Sequence, residues 1–312
     1  GFNTASGFQA LYSNTTGEVN TAYGSAALYA NTTGGGNTAI GYNALLNSIE
    51  GSNTAVGLNA LVTNTTGGSN TAVGRSSLGI NSTGYLNTAF GVEALYTITT
   101  GGNNTAIGYD ADVSVGNLNY ATVFGANATV NASNKVRIGN GSVSVIEGQV
   151  AYSWPSDGRF KENIEDDVKG LDFILKLKPV SYNFNRLKFA QHVRENISVE
   201  REEILVAQSQ QRSVGFVAQD VEKIIQETGF SSFDAVHAPT NETDNYSMGY
   251  AVFVVPLVKA VQELNQQLIT QNESLVNQIK AQDTLISEMK IRLDQFEQQQ
   301  KIILELIDQN KK

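Results

Sequence analysis

"NTAIGYNALLNSIEGSNTAVGLNAL", residues 37–61, writes one short phrase twice, from Asn37 and again from Asn53. Working outward, the same Asn-Thr-Ala-x-Gly phrase starts at Asn3, Asn20, Asn37, Asn53, Asn70, Asn87 and Asn104. Its glycines are Gly7, Gly24, Gly41, Gly57, Gly74, Gly91 and Gly108, a step of 17 residues throughout except for one of 16. "NYATVFGANA", with Gly125, is a degraded eighth copy, and "NKVRIGNGSV" around Gly139 reads as a closing half-turn. A fixed period of this size specifies stacked coils, because one copy cannot bury a core alone.

Each copy is predicted to hold two short strands. The first runs through the Ala and the variable apolar residue (Tyr23, Ile40, Val56, Val73, Phe90, Ile107), and the second is the "xxAL" stretch ending on Leu11, Leu28, Leu45, Leu61, Leu78 or Leu95. "NTTGG"-type segments turn the chain between copies. The recurring Asn and Thr are read as turn and ladder hydrogen-bonders. The N-x-[ST] matches recur because the repeat recurs, so they do not specify glycosylation. With one or two large apolar residues per copy the core is thin, and three chains around a common axis would cover one another. The pattern resembles the head domains of trimeric autotransporter adhesins, built of "NxxAxG" repeats, and repeats of phage tail-fibre proteins. That resemblance, over roughly residues 1–140, implies a trimeric left-handed β-roll.

Composition changes sharply near residue 155. Residues 1–155 hold 24 of the 29 glycines but only 9 of the 51 charged residues. One core does not usually draw on two such compositions, so a boundary is expected there. The net charge of -9 argues against nucleic acid, whose phosphates need clustered Lys and Arg. There is no cysteine, and His192 and His237 are the only histidines, which leaves little for a metal site. No apolar run is long enough to span a membrane. The chain opens in mid-pattern on Gly1, so an upstream part is expected.

From Pro256 onward the sequence reads as one helix without a further Pro or Gly. Leu257, Val261, Leu264 and Leu268, then Leu275, Ile279, Gln282, Ile286, Met289, Leu293, Phe296, Gln300, Ile303 and Ile307, alternate steps of 4 and 3. That is a coiled-coil seam, with a stutter through Asn272. Between the border and this helix, residues 156–255 have an α+β pattern. A short helix in "VKGLDFILKLK" precedes a strand through Val180, Tyr182 and Phe184. A strand in "RSVGFV" precedes a helix carrying Val221, Ile224 and Ile225 and ended by Gly229. Residues 186–212 are polar and are read as a surface hairpin or mobile loop. Glu165, Asp166 and Asp167 are read as a solvated helix start. Asp110 and Asp112, with Asn117 nearby, are spaced too poorly for calcium and are read as a turn.

"SDGRFKENI", "LKPVSYNF", "GFVAQDVE" and "YAVFVVPLVKAVQEL" stand in the same order and with similar spacing as in the intramolecular chaperone domain, also called the peptidase S74 domain. The chain resembles that family from Ser156 to about Leu264. The resemblance implies a module that trimerises, templates the β-fibre before it, and cuts itself off. It implies Ser156 as nucleophile, Lys161 as general base and a cut between Pro155 and Ser156. Asp157, Arg159, Asn163, Gln219 and Asp220 match supporting motif positions. Phe160 stands where Leu is more common, and Pro155 stiffens the acyl side of the cut. The chemistry is coherent without the family: serine needs a base, and lysine serves only when burial or nearby positive charge lowers its pKa.

The expected organisation is thus a β-solenoid of trimeric β-roll repeats over 1–140, a connector over 141–155, an α+β chaperone domain over 156–255 and a trimeric coiled-coil helix over 256–312. No cofactor or outside substrate is expected. The expected partner is the homotrimer itself, with the β-roll as the candidate surface for a host glycan or matrix ligand, at an extracellular location on a cell-surface or virion tail fibre. A non-cleaving structural or adhesive fibre is the alternative. A polysaccharide-degrading spike is disfavoured, because the few acids of the repeats do not pair.

Overall fold

The computed structural model describes residues 1–309. Positions 310–312 of the expected coiled-coil helix lie outside the described residues. Two compact units are present, and neither is continuous in sequence. The first is Gly1–Phe160 with Pro179–Ala218 and His237–Ser247; the second is Lys161–Lys178, Gln219–Val236 and the chain from Met248.

The first unit opens with a β-solenoid of about 8 turns. Its strands are three residues long: β1 (Thr4–Ser6), β2 (Thr21–Tyr23), β3 (Thr38–Ile40), β4 (Thr54–Val56), β5 (Thr71–Val73), β6 (Thr88–Phe90) and β7 (Thr105–Ile107). After the two-residue β8 (Asp112–Val113) come β9 (Thr122–Phe124), the short β10 (Thr129–Val130) and β11 (Val136–Ile138). Strands β1 to β7, β9 and β11 stack in that order into one parallel nine-stranded sheet, while β8 pairs with β10. Register is strict: Thr lies on Thr and Ala on Ala, as in Thr54↔Thr71 and Ala55↔Ala72. The central Ala points inward and is buried in β2 to β7, alongside buried Leu28, Leu45, Leu61, Leu78 and Leu95. The outward residue of the same strands, Tyr23, Ile40, Phe90 and Ile107 among them, forms an exposed apolar column.

Each strand stops at the motif glycine because that residue takes φ near +138°, as at Gly41 and Gly57. A Cβ at Gly57 would run into the carbonyl of Gly74 one turn on. Only glycine allows both the conformation and the approach.

The predicted second strand is corrected in the copies that carry "xxAL". There the stretch is a tight bend, with Asn59 at φ 58° and Leu61 at φ 52°, and likewise Asn43 and Leu45. Two left-handed residues in three exclude an extended strand. The bend still stacks turn on turn, since the Leu45 N–H donates to the Ala60 carbonyl at 3.0 Å. Among the described residues, a strand forms there in the two copies that lack "xxAL", at β8 in the copy from Asn104 and at β10 in the degraded eighth.

Asparagine supplies the second cohesive element. Asn20, Asn37, Asn53, Asn70, Asn87 and Asn104 are buried. In each copy from Asn3 to Asn104, Oδ1 accepts the backbone N–H one turn on, ending with the Ala121 N–H. In the same side chains Nδ2 donates to a carbonyl near the end of the copy, as from Asn70 to Gly84 at 2.8 Å. A second Asn column, with Asn31, Asn64 and Asn81, is also fully buried. The N-x-[ST] matches that begin on these three therefore hold acceptor groups that no glycosyl chain reaches.

Residues Pro179–Ala218 complete the first unit with an antiparallel pair, β12 (Val180–Asn183) and β13 (Arg212–Gly215), and two helices between them, α2 (Arg186–His192) and α3 (Val199–Gln208). The expected hairpin or mobile loop over 186–212 is thus corrected. Asn185 caps α2 by accepting from the Lys188 N–H at 2.8 Å, and Ser198 caps α3. Ala190, Val193 and Leu205 are buried beneath the polar residues.

The second unit holds α1 (Leu171–Lys176), α4 (Ala218–Thr228) and the long α5 (Val254–Gln309). Its core is aromatic: Phe173 meets Phe230 and Phe233 edge-on at 5.3 and 5.2 Å, and Phe233 meets Phe253 at 5.0 Å. Gly229, at φ 63°, ends α4. The acidic cluster does not start a helix, since Glu165, Asp166 and Asp167 precede α1 in irregular chain and Asp166 pairs with Lys259 of α5 at 2.8 Å. At 56 residues, α5 is roughly 84 Å long. In the single chain its seam is exposed, from Leu257 and Leu275 through Ile286 and Leu293 to Ile307.

Candidate functional site

The border lies after the last solenoid strand. From Val150 to Ser156 the chain is irregular and exposed, with Trp154 at 85% and Tyr152 at 87%. The residues that follow fold into a short 3-10 turn, Gly158–Phe160. The Asp157 carbonyl accepts from the Phe160 N–H at 3.1 Å to close it. The Asp157 carboxylate braces the turn from outside, taking the Arg159 backbone N–H at 2.9 Å, Nε at 2.9 Å and Nη2 at 2.6 Å. Hydrogen bonds from Arg159 hold the Asp157 carboxyl below its ordinary range, and the same contact raises Arg159. The Arg159 guanidinium lies 5.7 Å from the centre of the Phe160 ring. The turn therefore holds a closed Asp157–Arg159 ion pair beside Ser156 in the chain.

Ser156 ends the irregular stretch of the first unit and is exposed; Lys161 opens the second unit and is exposed. Asn163 takes a left-handed conformation at φ 51°. Gln219 and Asp220 stand in the first turn of α4, both exposed. Of the motif residues, the structure joins Asp157 to Arg159 by direct contact.

A second cluster had no signal in the sequence. Glu195, between α2 and α3, has a fully buried carboxylate. It is gripped by Arg137 of β11 on one side and Arg201 of α3 on the other, and it also accepts the Gly141 N–H at 3.3 Å. Arg137 also lies over the Phe189 ring, 5.3 Å from its centre. Burial lowers the Arg137 guanidinium, and Glu195 opposes that shift. Asp244, equally buried, accepts Lys135 Nζ at 2.9 Å, His237 Nε2 at 2.9 Å and the Thr240 N–H at 2.9 Å. Burial alone would raise its carboxyl, but Lys135 and the neighbouring N–H donors hold it well below the usual range. Beside it, Asn131 donates to the Thr243 carbonyl at 2.6 Å, and the Ser114 and Thr243 hydroxyls meet at 2.8 Å. Both histidines are exposed and touch this cluster, for His192 Nε2 lies 2.9 Å from the Asp244 carbonyl.

Asp112 stands apart from both. It lies in β8 rather than in the expected turn, and its side chain accepts the Thr97 N–H at 3.1 Å and the Thr97 hydroxyl at 2.7 Å. Burial pushes its carboxyl up to about 7 despite these bonds.

Residues 156–230 match the family Peptidase S74, chaperone of endosialidase. The match begins on Ser156 itself and follows the β-solenoid, and it supports a chaperone role for the C-terminal part of the chain. No curated protein and no solved structure matches the chain.

Proposed function

We propose that the part of the chain from Ser156 onward is an intramolecular chaperone that trimerises through α5, assists folding of the solenoid before it, and cuts the Pro155–Ser156 bond. The observation that carries this reading is that the family match starts on Ser156, at the point where the solenoid's connector ends. In the proposed reaction Lys161 Nζ, neutral, takes the Ser156 hydroxyl proton. The freed Oγ adds to the Pro155 carbonyl carbon, the C–N bond breaks, and the Ser156 nitrogen leaves as an amine carrying that proton. Water then hydrolyses the ester, giving a Pro155 carboxylate and restoring the hydroxyl. Asp157 and Arg159 brace the loop; Asn163, Gln219 and Asp220 support it.

A neutral lysine needs burial or a neighbouring cation. Lys161 is exposed in the single chain. Packing of three chains supplies the burial, so cleavage waits for assembly and acts once per chain. The exposed apolar seam of α5 favours helix partners, and two polar Gln layers, Gln282 and Gln300, suit a register-setting role. The fibre is assigned to an extracellular cell-surface or virion tail fibre, with a left-handed β-roll whose outer surface takes a glycan or matrix ligand.

Expression followed by a denaturing gel tests the reading. Two fragments of similar size from the parent, and one intact band from Ser156→Ala and from Lys161→Ala, support it. An intact parent in a folded trimer refutes it and leaves the second reading, a structural fibre with an uncut anchor. That second reading draws on the buried Glu195 and Asp244 clusters, which tie the later segments to the solenoid.

A further inference from the structure

The two buried clusters share a feature that the border chemistry does not use. Each joins a residue upstream of Ser156 to residues downstream of it. On the upstream side stand Ser114, Asn131, Lys135 and Arg137 of the last solenoid turns and Gly141 just beyond. On the downstream side stand Glu195, Arg201, Thr243 and Asp244. Further bonds run the same way: Arg186 donates to the Gly141 carbonyl at 3.0 Å, Arg194 to the Ser114 carbonyl at 3.2 Å, and Asn241 to the Asn131 carbonyl at 2.8 Å. All these residues belong to one compact unit. None of the contacts passes through the Pro155–Ser156 bond.

Pulling the two sides apart would strip Glu195 of Arg137 and Asp244 of Lys135. Both carboxylates have no exposed side-chain surface, while Arg137 and Lys135 retain only 15% and 22%. A buried charge that loses its partner is strongly destabilising until water reaches it. Cutting one exposed peptide bond removes only the tether, which acts through effective concentration and adds no contact.

We infer that cleavage does not separate the chain: the piece beginning at Ser156 stays as a non-covalent cap on the last solenoid turns, with Arg137–Glu195 and Lys135–Asp244 as its anchors. The surface is the solenoid end, and its partner is this chain's own Pro179–Ala218 and His237–Ser247 segments. The cap supplies carboxylates to two cations that the solenoid end would otherwise expose. The natural trigger rests on the cleavage proposed above, but the docking does not.

The test is size-exclusion chromatography of the cut full-length protein at moderate salt, with each fraction run on a denaturing gel. Both fragments in equal amounts in one peak are expected. After cleavage, Glu195→Gln/Asp244→Asn should shift at least tenfold more of the C-terminal fragment into a separate peak, with circular dichroism confirming folded pieces. Should that variant misfold, Lys135→Met on the solenoid side gives the same readout. Parent fragments that elute apart, or variant fragments that stay together as firmly as the parent's, overturn the inference. Should the parent show one intact band, self-cleavage fails while docking remains testable. Brief trypsin treatment then nicks the chain at exposed Arg159 or Lys161, and the same chromatography decides.

Discussion

The backbone N–H of Asn70 donates to Oδ1 of Asn53, one turn back, at 2.9 Å, with both residues fully buried. The relation repeats along the solenoid, so each asparagine completes the turn before it and the turn after it. Asn70→Ala strands the Asn87 N–H, while the Gly84 carbonyl keeps its bond from Asn81 Nδ2 at 3.0 Å. A loss of about 1–3 kcal/mol is expected, the cost of one unpaired buried group. Exposed Asn47, which donates to the Val62 carbonyl at 2.8 Å, provides the control, and Asn47→Ala should cost under about 1 kcal/mol. Thermal melts of the two variants beside the parent decide.

Gly74→Ala sets backbone strain against propensity. Alanine favours regular structure, but Gly74 has φ +136° and its Cβ would meet the Gly91 carbonyl. A destabilisation of about 2–4 kcal/mol is expected from strain and overpacking together. A melting temperature equal to the parent's would refute this account of why strands end there.

Asp112 makes stability depend on pH with a definite sign. Burial pushes its folded pKa up to about 7, against about 3.9 for a free aspartate side chain. The folded chain therefore holds that proton more tightly than the unfolded chain. The contribution is fully present below about pH 4 and is lost as pH rises through 7, by at most on the order of 4 kcal/mol. The melting temperature should fall between pH 5 and pH 8, and Asp112→Asn should flatten that fall. An unchanged slope in the variant would assign the dependence elsewhere.

Lys161→Arg keeps the positive charge but removes a base, because guanidinium does not deprotonate in proteins. It should block cleavage as fully as Lys161→Ala does. Cleavage at the parent rate in Lys161→Arg would leave Lys161 with a merely electrostatic role.

The α5 seam gives an assembly prediction. Ile286→Asp/Leu293→Asp places charge on two exposed seam positions, which are 49% and 57% exposed in the single chain. If three helices bury them, sedimentation should show loss of the trimer and far-ultraviolet circular dichroism a loss of helix. An unaltered mass would remove the seam from assembly.

The repeat made the solenoid legible: one motif, copied, marks strand, bend and core at once, and Gly74 and Ala72 take the places their spacing implies. The bend at Asn59 and Leu61 was not legible. Its "xxAL" pattern alternates as a strand does, and only positive φ at both residues separates the two. Along 186–212 polar composition suggested solvent, yet Glu195 and Arg201 are polar because they pair in the interior. Their partners lie far off in sequence, 58 residues for Arg137 to Glu195 and 109 for Lys135 to Asp244, and no local pattern encodes such a distance. The roles proposed for Ser156 and Lys161 rest on the motif company they keep, and no local pattern encodes them.

The one short step in the series, 16 residues from Asn37 to Asn53, leaves Thr38 on Thr54 and Ala39 on Ala55. Asn37 reaches the Glu50 carbonyl at 2.9 Å, where its neighbours in the series reach a glycine. The missing residue is absorbed in the loop without disturbing the ladder. Since each turn reads only the turns on either side, whole copies are interchangeable parts. Unequal recombination that drops or adds a copy would alter the reach of the solenoid in increments of about 4.8 Å, and the C-terminal part of the chain would meet the same final turn each time.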